Sequence, residues 1–226
     1  MAARYAAKTA YRGDIATRYD ADRKGEALWG EEQDFVRRWI ERLPTGATVL
    51  DVPVGTGRFL PTLIERGCHV VGFDISADMI AEARRSGTAI EAGIRLEVGD
   101  AEQMALPNQS VDAVICWRFF HLIPSSVMHR VLHEFRRVSR GPVLVQVLQV
   151  QLPAANPWAA LKNRLRPWYR RLRPMPVNQP WGHITSYPHP EQAIRAAFAA
   201  TGWRVVEETR MTDSAGMPVK VYTLEP

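Results

Sequence analysis

Short apolar runs alternate with longer stretches of helical spacing from residue 28 to about 150. Between Leu28 and Leu43, the residues Phe35, Val36, Trp39, Ile40 and Leu43 recur at helical intervals, and Pro44-Thr45-Gly46 then breaks the pattern. Ala47 to Val52 (ATVLDV) predicts a short buried strand, and Thr56 to Arg66 a helix closed by Gly67. His69 to Phe73 predicts a second strand. Ser76 follows as an N-cap, with Asp78 in the first turn of a helix running to about Arg85. Ile94 to Val98 and Val111 to Trp117 give a third and a fourth strand, Pro124 to Val138 a helix, and Val143 to Val150 a fifth strand. Beyond a poorly patterned stretch from 151 to 186, Pro190 opens a helix to about Thr201. Trp203 to Thr209 and Met217 to Thr223 are then two strands joined by Thr212-Asp213-Ser214-Ala215-Gly216.

Strands joined by helical crossovers of this length imply an α/β protein, with a mostly parallel sheet covered on both faces. The tight last connection makes the final pair an antiparallel hairpin. The order suggests one domain over 1–226: an N-terminal helical lid (1–45), a core (46–150), an insert (151–190), and a C-terminal helix with hairpin (191–226).

Composition narrows the class. With 46% hydrophobic residues in 226, the chain has ample material for one core. Two cysteines, Cys68 and Cys116, are too few for a CxxC metal site or a disulfide framework, and no metal-ligand cluster stands out. No apolar run approaches a membrane span, and the N-terminus lacks the apolar segment of a secretory signal. A cytoplasmic location is the expectation. The net charge of +5 points at first to an acidic partner. It resides in one place, however. Residues 162–173 carry Lys162, Arg164, Arg166, Arg170, Arg171 and Arg173 with no acid, so the rest of the chain is close to neutral.

The chemistry gathers at strand ends. The first strand runs into Asp51-Val52-Pro53-Val54-Gly55-Thr56-Gly57-Arg58, two glycines before a helix whose N–H groups are free. The three-glycine dinucleotide fingerprint is not met, nor is a Walker loop, which needs Gly-Lys-Ser/Thr. Asp74 ends the second strand, where a carboxylate could grip a ribose diol, although it could also help cap the next helix. Asp100-Ala101 follows the third strand, where a turn cap is the alternative, and Cys116-Trp117-Arg118 ends the fourth. All lie on the carboxyl edge, where open α/β sheets bind ligands.

This series of strand ends resembles the class I S-adenosylmethionine-dependent methyltransferases of the small-molecule branch, most clearly over residues ~47–140. The resemblance implies a three-layer Rossmann-like fold with a seven-stranded sheet, and S-adenosylmethionine as cofactor. Carried over, it places Asp51, Gly55 and Gly57 at the methionine portion, with Pro53 standing at the family's first glycine. It also places Asp74 on the ribose hydroxyls, Ile75 and Met79 beside the adenine, Asp100 and Ala101 at its edge, and Trp117 beside the sulfonium or substrate. Ile75 and Met79 equally suit ordinary core. The lead-in around Tyr11 and Tyr19 resembles a lid, with Tyr11, Tyr19 and Arg23 in reach of the methionine carboxylate or the substrate. A frayed terminal helix is the other reading.

His121, shortly after the fourth strand, is the candidate catalytic base for a hydroxyl or thiol acceptor. It equally suits a histidine that only packs at the approach to the next helix. The expected reaction is methyl transfer to a small-molecule or lipid-like acceptor at oxygen, independent of metal. Substrate contacts are assigned to Tyr11, Tyr19, Arg118, Trp181, His183 and Tyr187. Residues 151–190 hold eight prolines and five large aromatics, which deny a long helix and need a surface to pack on. They read as a basic, aromatic cover suited to an anionic or lipid-linked acceptor, as a peripheral membrane contact, or as a solvated face. Two rivals stand beside this. One is an RNA or protein methyltransferase using 162–173, although the run after the fourth strand lacks an Asn-Pro-Pro-Tyr-like motif, so nucleic acid is not favoured. The other is a non-catalytic cofactor-binding module.

Overall fold

The computed structural model describes residues 7–26, 28–85, 93–148, 187, 189–212 and 218–226. Three N-terminal helices, α1 (Ala7–Ala10), α2 (Asp14–Arg23) and α3 (Leu28–Ile40), precede the sheet. There follow β1 (Thr48–Asp51), α4 (Leu60–Glu65), β2 (His69–Asp74), α5 (Ala77–Arg85), β3 (Ile94–Val98) and β4 (Ala113–Cys116). The chain continues through a 3-10 turn at Phe120–Leu122, then α6 (Ser125–Val138), β5 (Val143–Leu148), α7 (Glu191–Ala200), β6 (Arg204–Thr212) and β7 (Pro218–Glu225). The seven strands lie in the order β3-β2-β1-β4-β5-β7-β6. The first five are mutually parallel, and β7 runs antiparallel to both β5 and β6. The C-terminal hairpin is therefore present, with its second strand inserted between β5 and β6.

Alternate residues of the central strands feed two cores. Leu50, Val114, Val143 and Val145 pack with Phe135, Ile194 and Phe198 from α6 and α7. Val49, Ala113, Ile115 and Leu144 pack with Val36, Ile40, Leu63 and Ile80 from α3, α4 and α5. Both faces of the central strands β1, β4 and β5 are dry, so these strands read as continuous apolar runs rather than alternating ones. Each fully buried side chain of this size contributes roughly 1.5–3 kcal/mol.

Several predicted boundaries move: α3 ends at Ile40 rather than Leu43, and the last two strands run on to Thr212 and Glu225. The largest shift falls at the site. The helix expected from Thr56 begins at Leu60, with Pro61 in its first turn. A helix starting at Thr56 would place Pro61 in its interior, where the missing N–H breaks the ladder. Gly57, at φ 84°, cannot join a right-handed helix either. Residues 52–59 become an irregular loop instead, and that loop walls the site. Ser76 caps α5 as expected, its Oγ accepting from Met79 N–H at 3.2 Å.

Candidate functional site

The carboxyl ends of β1, β2 and β4 open into a cavity of about 770 Å³ including its mouth. Pro53, Gly55, Thr56, Arg58 and Phe59 enter from the loop after β1, Asp74, Ile75 and Met79 from β2 and α5, and Trp117, Arg118, Phe119 and Leu122 from the segment after β4. Ala7, Tyr11, Tyr19 and Trp29 close it from the N-terminal helices. That layer is tied down at several points. Ser76 Oγ donates to Tyr11 O, Gly13 N–H donates to Asp78 Oδ2 at 2.8 Å, and Thr56 Oγ1 donates to Asp20 Oδ1 at 2.6 Å.

Pro53 fits its position because the pairing is done by its neighbours. Val52 N–H donates to Ile115 O at 2.9 Å and Val54 N–H to Phe73 O at 2.8 Å, so no amide hydrogen is required between them. The Val52–Pro53 bond is cis. Asp74 is held in one orientation: Oδ2 accepts Gly55 N–H at 3.0 Å and Oδ1 accepts Ser76 N–H at 2.8 Å. Burial pushes its carboxyl up to about 6 against the opposing pull of the Ser76, Gly55 and Ile75 amides. Asp51 is more enclosed. Burial, then the nearby Asp74 charge, push it up to about 8, Arg58 opposing, and its Oδ2 is buried with no hydrogen-bond partner.

These residues fit an adenosine-type ligand such as the resemblance implies. A Cβ on Gly55 would meet nothing within 4 Å, so the loop leaves room on the cavity side. Trp117 is 5% exposed, lines the cavity and carries an Nε1–H without a partner. Asp74 offers a fixed carboxylate beside the apolar Ile75 and Met79. A few fixed polar groups set among apolar and aromatic walls is how small-molecule sites are built.

Not all of the expected residues meet there. Gly57 does not line the cavity; its Cβ would lie 2.7 Å from Leu60 Cδ1 and 3.3 Å from Ala83 Cβ, so it serves helix packing. Asp51, Asp100 and Ala101 are absent from the cavity wall as well, Asp51 lying buried beneath it at the end of β1. Asp100 Oδ2 accepts Lys8 Nζ at 2.6 Å, its Oδ1 accepts Glu102 N–H at 3.0 Å, and Ala101 is in the core. His121 is half-buried at a second cavity of about 570 Å³ including its mouth, shared with Arg23, Glu26, Leu28, Glu32, Gln146, Leu148 and Val219. Arg118 lines both cavities. Desolvation, then the charges of Arg23, Arg118 and His189, depress the His121 imidazole to about 4, so it is neutral at pH 7. Tyr187 is not among the residues that line either cavity; its N–H donates to His121 O at 2.8 Å, and its side chain packs against the core cluster that includes Phe119 and Leu122. His189 Nε2 lies 3.0 Å from both Phe120 O and Ile123 O and pins the same turn. Trp181, His183 and the basic run 162–173 lie outside the described residues.

Several wall residues escape a motif-based reading. Arg58 closes the run after β1 and Phe119 directly follows Cys116-Trp117-Arg118, so proximity alone points to them. Glu32 carries a subtler signal. It falls at helical spacing between Leu28 and Trp39, on the apolar stripe of α3, and a carboxylate there must find a buried partner. Among the described residues, no helix is long and apolar enough to cross a membrane, and no group of three or more His, Cys, Asp or Glu could hold a metal ion.

Residues 49–141 match a family described as a methyltransferase domain. A demethylmenaquinone methyltransferase of Deinococcus radiodurans is 43% identical over 70 residues, 30% of this chain and 29% of that protein. The match thus spans less than a third of that relative. A second demethylmenaquinone methyltransferase, of Beutenbergia cavernae, is 28% identical over 207 residues, 88% of this chain and 83% of the relative. Among solved structures, magnesium protoporphyrin IX methyltransferase from Synechocystis PCC 6803 with bound S-adenosylmethionine superposes with a TM-score of 0.69 at 15% identity, covering 100% of this chain and 99% of that one.

Proposed function

Since this chain belongs to the class I S-adenosylmethionine-dependent methyltransferases, we propose that it methylates a small, lipid-like acceptor through a hydroxyl oxygen, with the cofactor in the first cavity and the acceptor in the second. The observation that carries this reading is the pair of cavities meeting at Arg118. One lies over the ends of β1 and β2, the other beside β5 and β7 with a neutral imidazole in its wall. S-adenosylmethionine supplies a methyl group activated on a sulfonium. The chain's part is then to bind, orient and accept a proton. Asp74 holds the ribose hydroxyls, Ile75 and Met79 bracket the base, and Trp117 donates its free N–H. The walls exclude water so that the approach is in line. In this reading His121, neutral at pH 7 though made weakly basic by burial, accepts the hydroxyl proton as the methyl group transfers. The donor side of this reading calls on no metal ion, because the S–CH3 bond breaks with the neutral thioether as leaving group, while the acceptor proton goes to His121.

A second acceptor atom is suggested by the relatives named for demethylmenaquinone, a lipid quinone. In a reduced ring of that kind, loss of the hydroxyl proton activates a ring carbon as well as the oxygen. Incubating the protein with methyl-labelled S-adenosylmethionine and 1,4-dihydroxynaphthalene separates the two by the position of the label in the product. We expect label on oxygen. Label on the ring carbon would replace the oxygen reading with the carbon one. His121→Ala is expected to lower the turnover of this probe by about a hundredfold while leaving S-adenosylhomocysteine binding unchanged. An unchanged turnover would return His121 to packing.

The two carboxylates also give a pH dependence. Both folded-state values, about 6 for Asp74 and about 8 for Asp51, lie above the unfolded carboxylate range. Their contribution to stability is therefore full below about pH 4 and is lost as pH rises through about 6 and then about 8. A ligand that brings diol donors to Asp74 and an ammonium group into the same cavity favours both ionised carboxylates, Asp74 by contact and the buried Asp51 through space. Binding of S-adenosylhomocysteine should release protons near pH 7 and tighten by about threefold to tenfold between pH 6 and pH 8. Calorimetry in two buffers of different ionisation enthalpy measures the release. Proton uptake, or an affinity flat in pH, would contradict the assignment.

A further inference from the structure

Glu32 is 1% exposed and sits on α3, outside the matched span 49–141. Its carboxylate accepts Arg58 Nη1 at 2.7 Å, Arg118 Nη2 at 2.8 Å and Gln146 Nε2 at 2.5 Å. Arg58 also donates to Trp29 O at 2.6 Å, and its guanidinium lies 3.7 Å from the centre of the Trp29 ring. Arg118 has its backbone in the left-handed region at φ 53°, and its N–H donates to Gln146 Oε1 at 3.0 Å. One side chain thus ties together α3, the loop after β1, the segment after β4, and β5. Both arginines face the first cavity, and Arg118 faces the second as well.

A buried ion-pair group of this kind adds little net stability over an apolar replacement, because desolvation offsets the attraction. Its consequence is geometric. Two guanidinium groups repel, and without a shared carboxylate between them they would separate, one of them swinging into a cavity. A strained non-glycine backbone conformation likewise persists only where its surroundings over-determine it, and the Gln146 side chain does so for Arg118. We infer that Glu32 is a positioning residue of this site, which acts through Arg58 and Arg118 to hold the wall dividing the two cavities. It rests on the reading of the first cavity as the cofactor site. The N-terminal helical layer then does more than cover the site: it supplies the anion around which the wall is assembled. Burial works against the charge on Arg118, but Glu32, Tyr19 and Glu26 outweigh it and keep that guanidinium firmly ionised.

Glu32→Gln keeps the size and removes the charge. The expected result is that the folded fraction binds S-adenosylhomocysteine about tenfold or more weakly by calorimetry, because misplaced wall groups cost affinity without unfolding the chain. A carboxylate that served stability alone would lower the melting temperature and leave the Kd of the folded fraction unchanged, and that result overturns the inference. Should Glu32→Gln fail to fold, Gln146→Leu carries the same test. It keeps both ion pairs, removes one donor to Glu32 and frees the Arg118 N–H. About threefold or greater weakening supports the inference and an unchanged Kd overturns it. Wild-type protein that does not bind S-adenosylhomocysteine at all would overturn the cofactor-site reading itself, a failure visible before any variant is compared.

Discussion

Asp74→Ala is expected to reduce S-adenosylhomocysteine affinity by more than about a hundredfold, because two charge-assisted hydrogen bonds to a diol are each worth roughly 1.5–3 kcal/mol. The side chain is 7% exposed and already oriented by the Gly55 and Ser76 amides, so little ordering cost remains when a ligand arrives. The substitution has a second effect in the same direction, since the loop after β1 loses the contact that holds Gly55 in place. Stability should respond differently. Burial already opposes the Asp74 charge, so the alanine variant is expected to melt within a few degrees of the parent at pH 7. Calorimetry with thermal denaturation on one preparation checks both halves. Binding retained within about fivefold would remove Asp74 from the ligand site.

The two glycines of the loop should fail in opposite ways. At Gly55, φ is 57° and a Cβ meets nothing within 4 Å. Gly55→Val should therefore fold, with about 1–2 kcal/mol lost to the left-handed backbone, while its side chain fills the cavity and abolishes ligand binding. At Gly57, φ is 84° and the Cβ would sit 2.7 Å from Leu60 Cδ1, with Ala83 Cβ at 3.3 Å behind it. Gly57→Val should lose the same backbone energy plus the roughly 1–3 kcal/mol of an overpacked core, and melt far below Gly55→Val. Thermal denaturation and S-adenosylhomocysteine titration of the two variants give the comparison. Equal melting temperatures, or full binding by Gly55→Val, would refute the division of labour between the two positions.

That division marks where reading residues in order reaches its limit. The run Asp51 to Arg58 announces a ligand loop at a strand end, and the apolar periodicity announces the sheet that presents it. Both follow from local physics, because short apolar runs bury on two sheet faces and glycines permit backbone that other residues resist. The strand-and-helix order, the antiparallel ending, the Ser76 cap and Asp74 as a strand-end carboxylate were legible on that basis, whereas Ile75, Met79 and Trp117 were pointed to only by the family resemblance.

What local pattern does not carry is the partner each side chain meets. Gly55 and Gly57 look alike along the chain, yet only packing against Leu60 and Ala83 turns one of them into a spacer. Asp100 resembles a ligand group by its place after β3, but it is engaged by Lys8 from the N-terminal segment. Glu32, on the apolar stripe of α3, announces that it needs a buried partner, but nothing along the chain says that Arg58, Arg118 and Gln146 will close around it from three distant parts. Strand ends are set by short-range preference and could be read in order. The charge pairs and cavity walls depend on which segments the fold brings within a few ångströms, and only the assembled chain decides that.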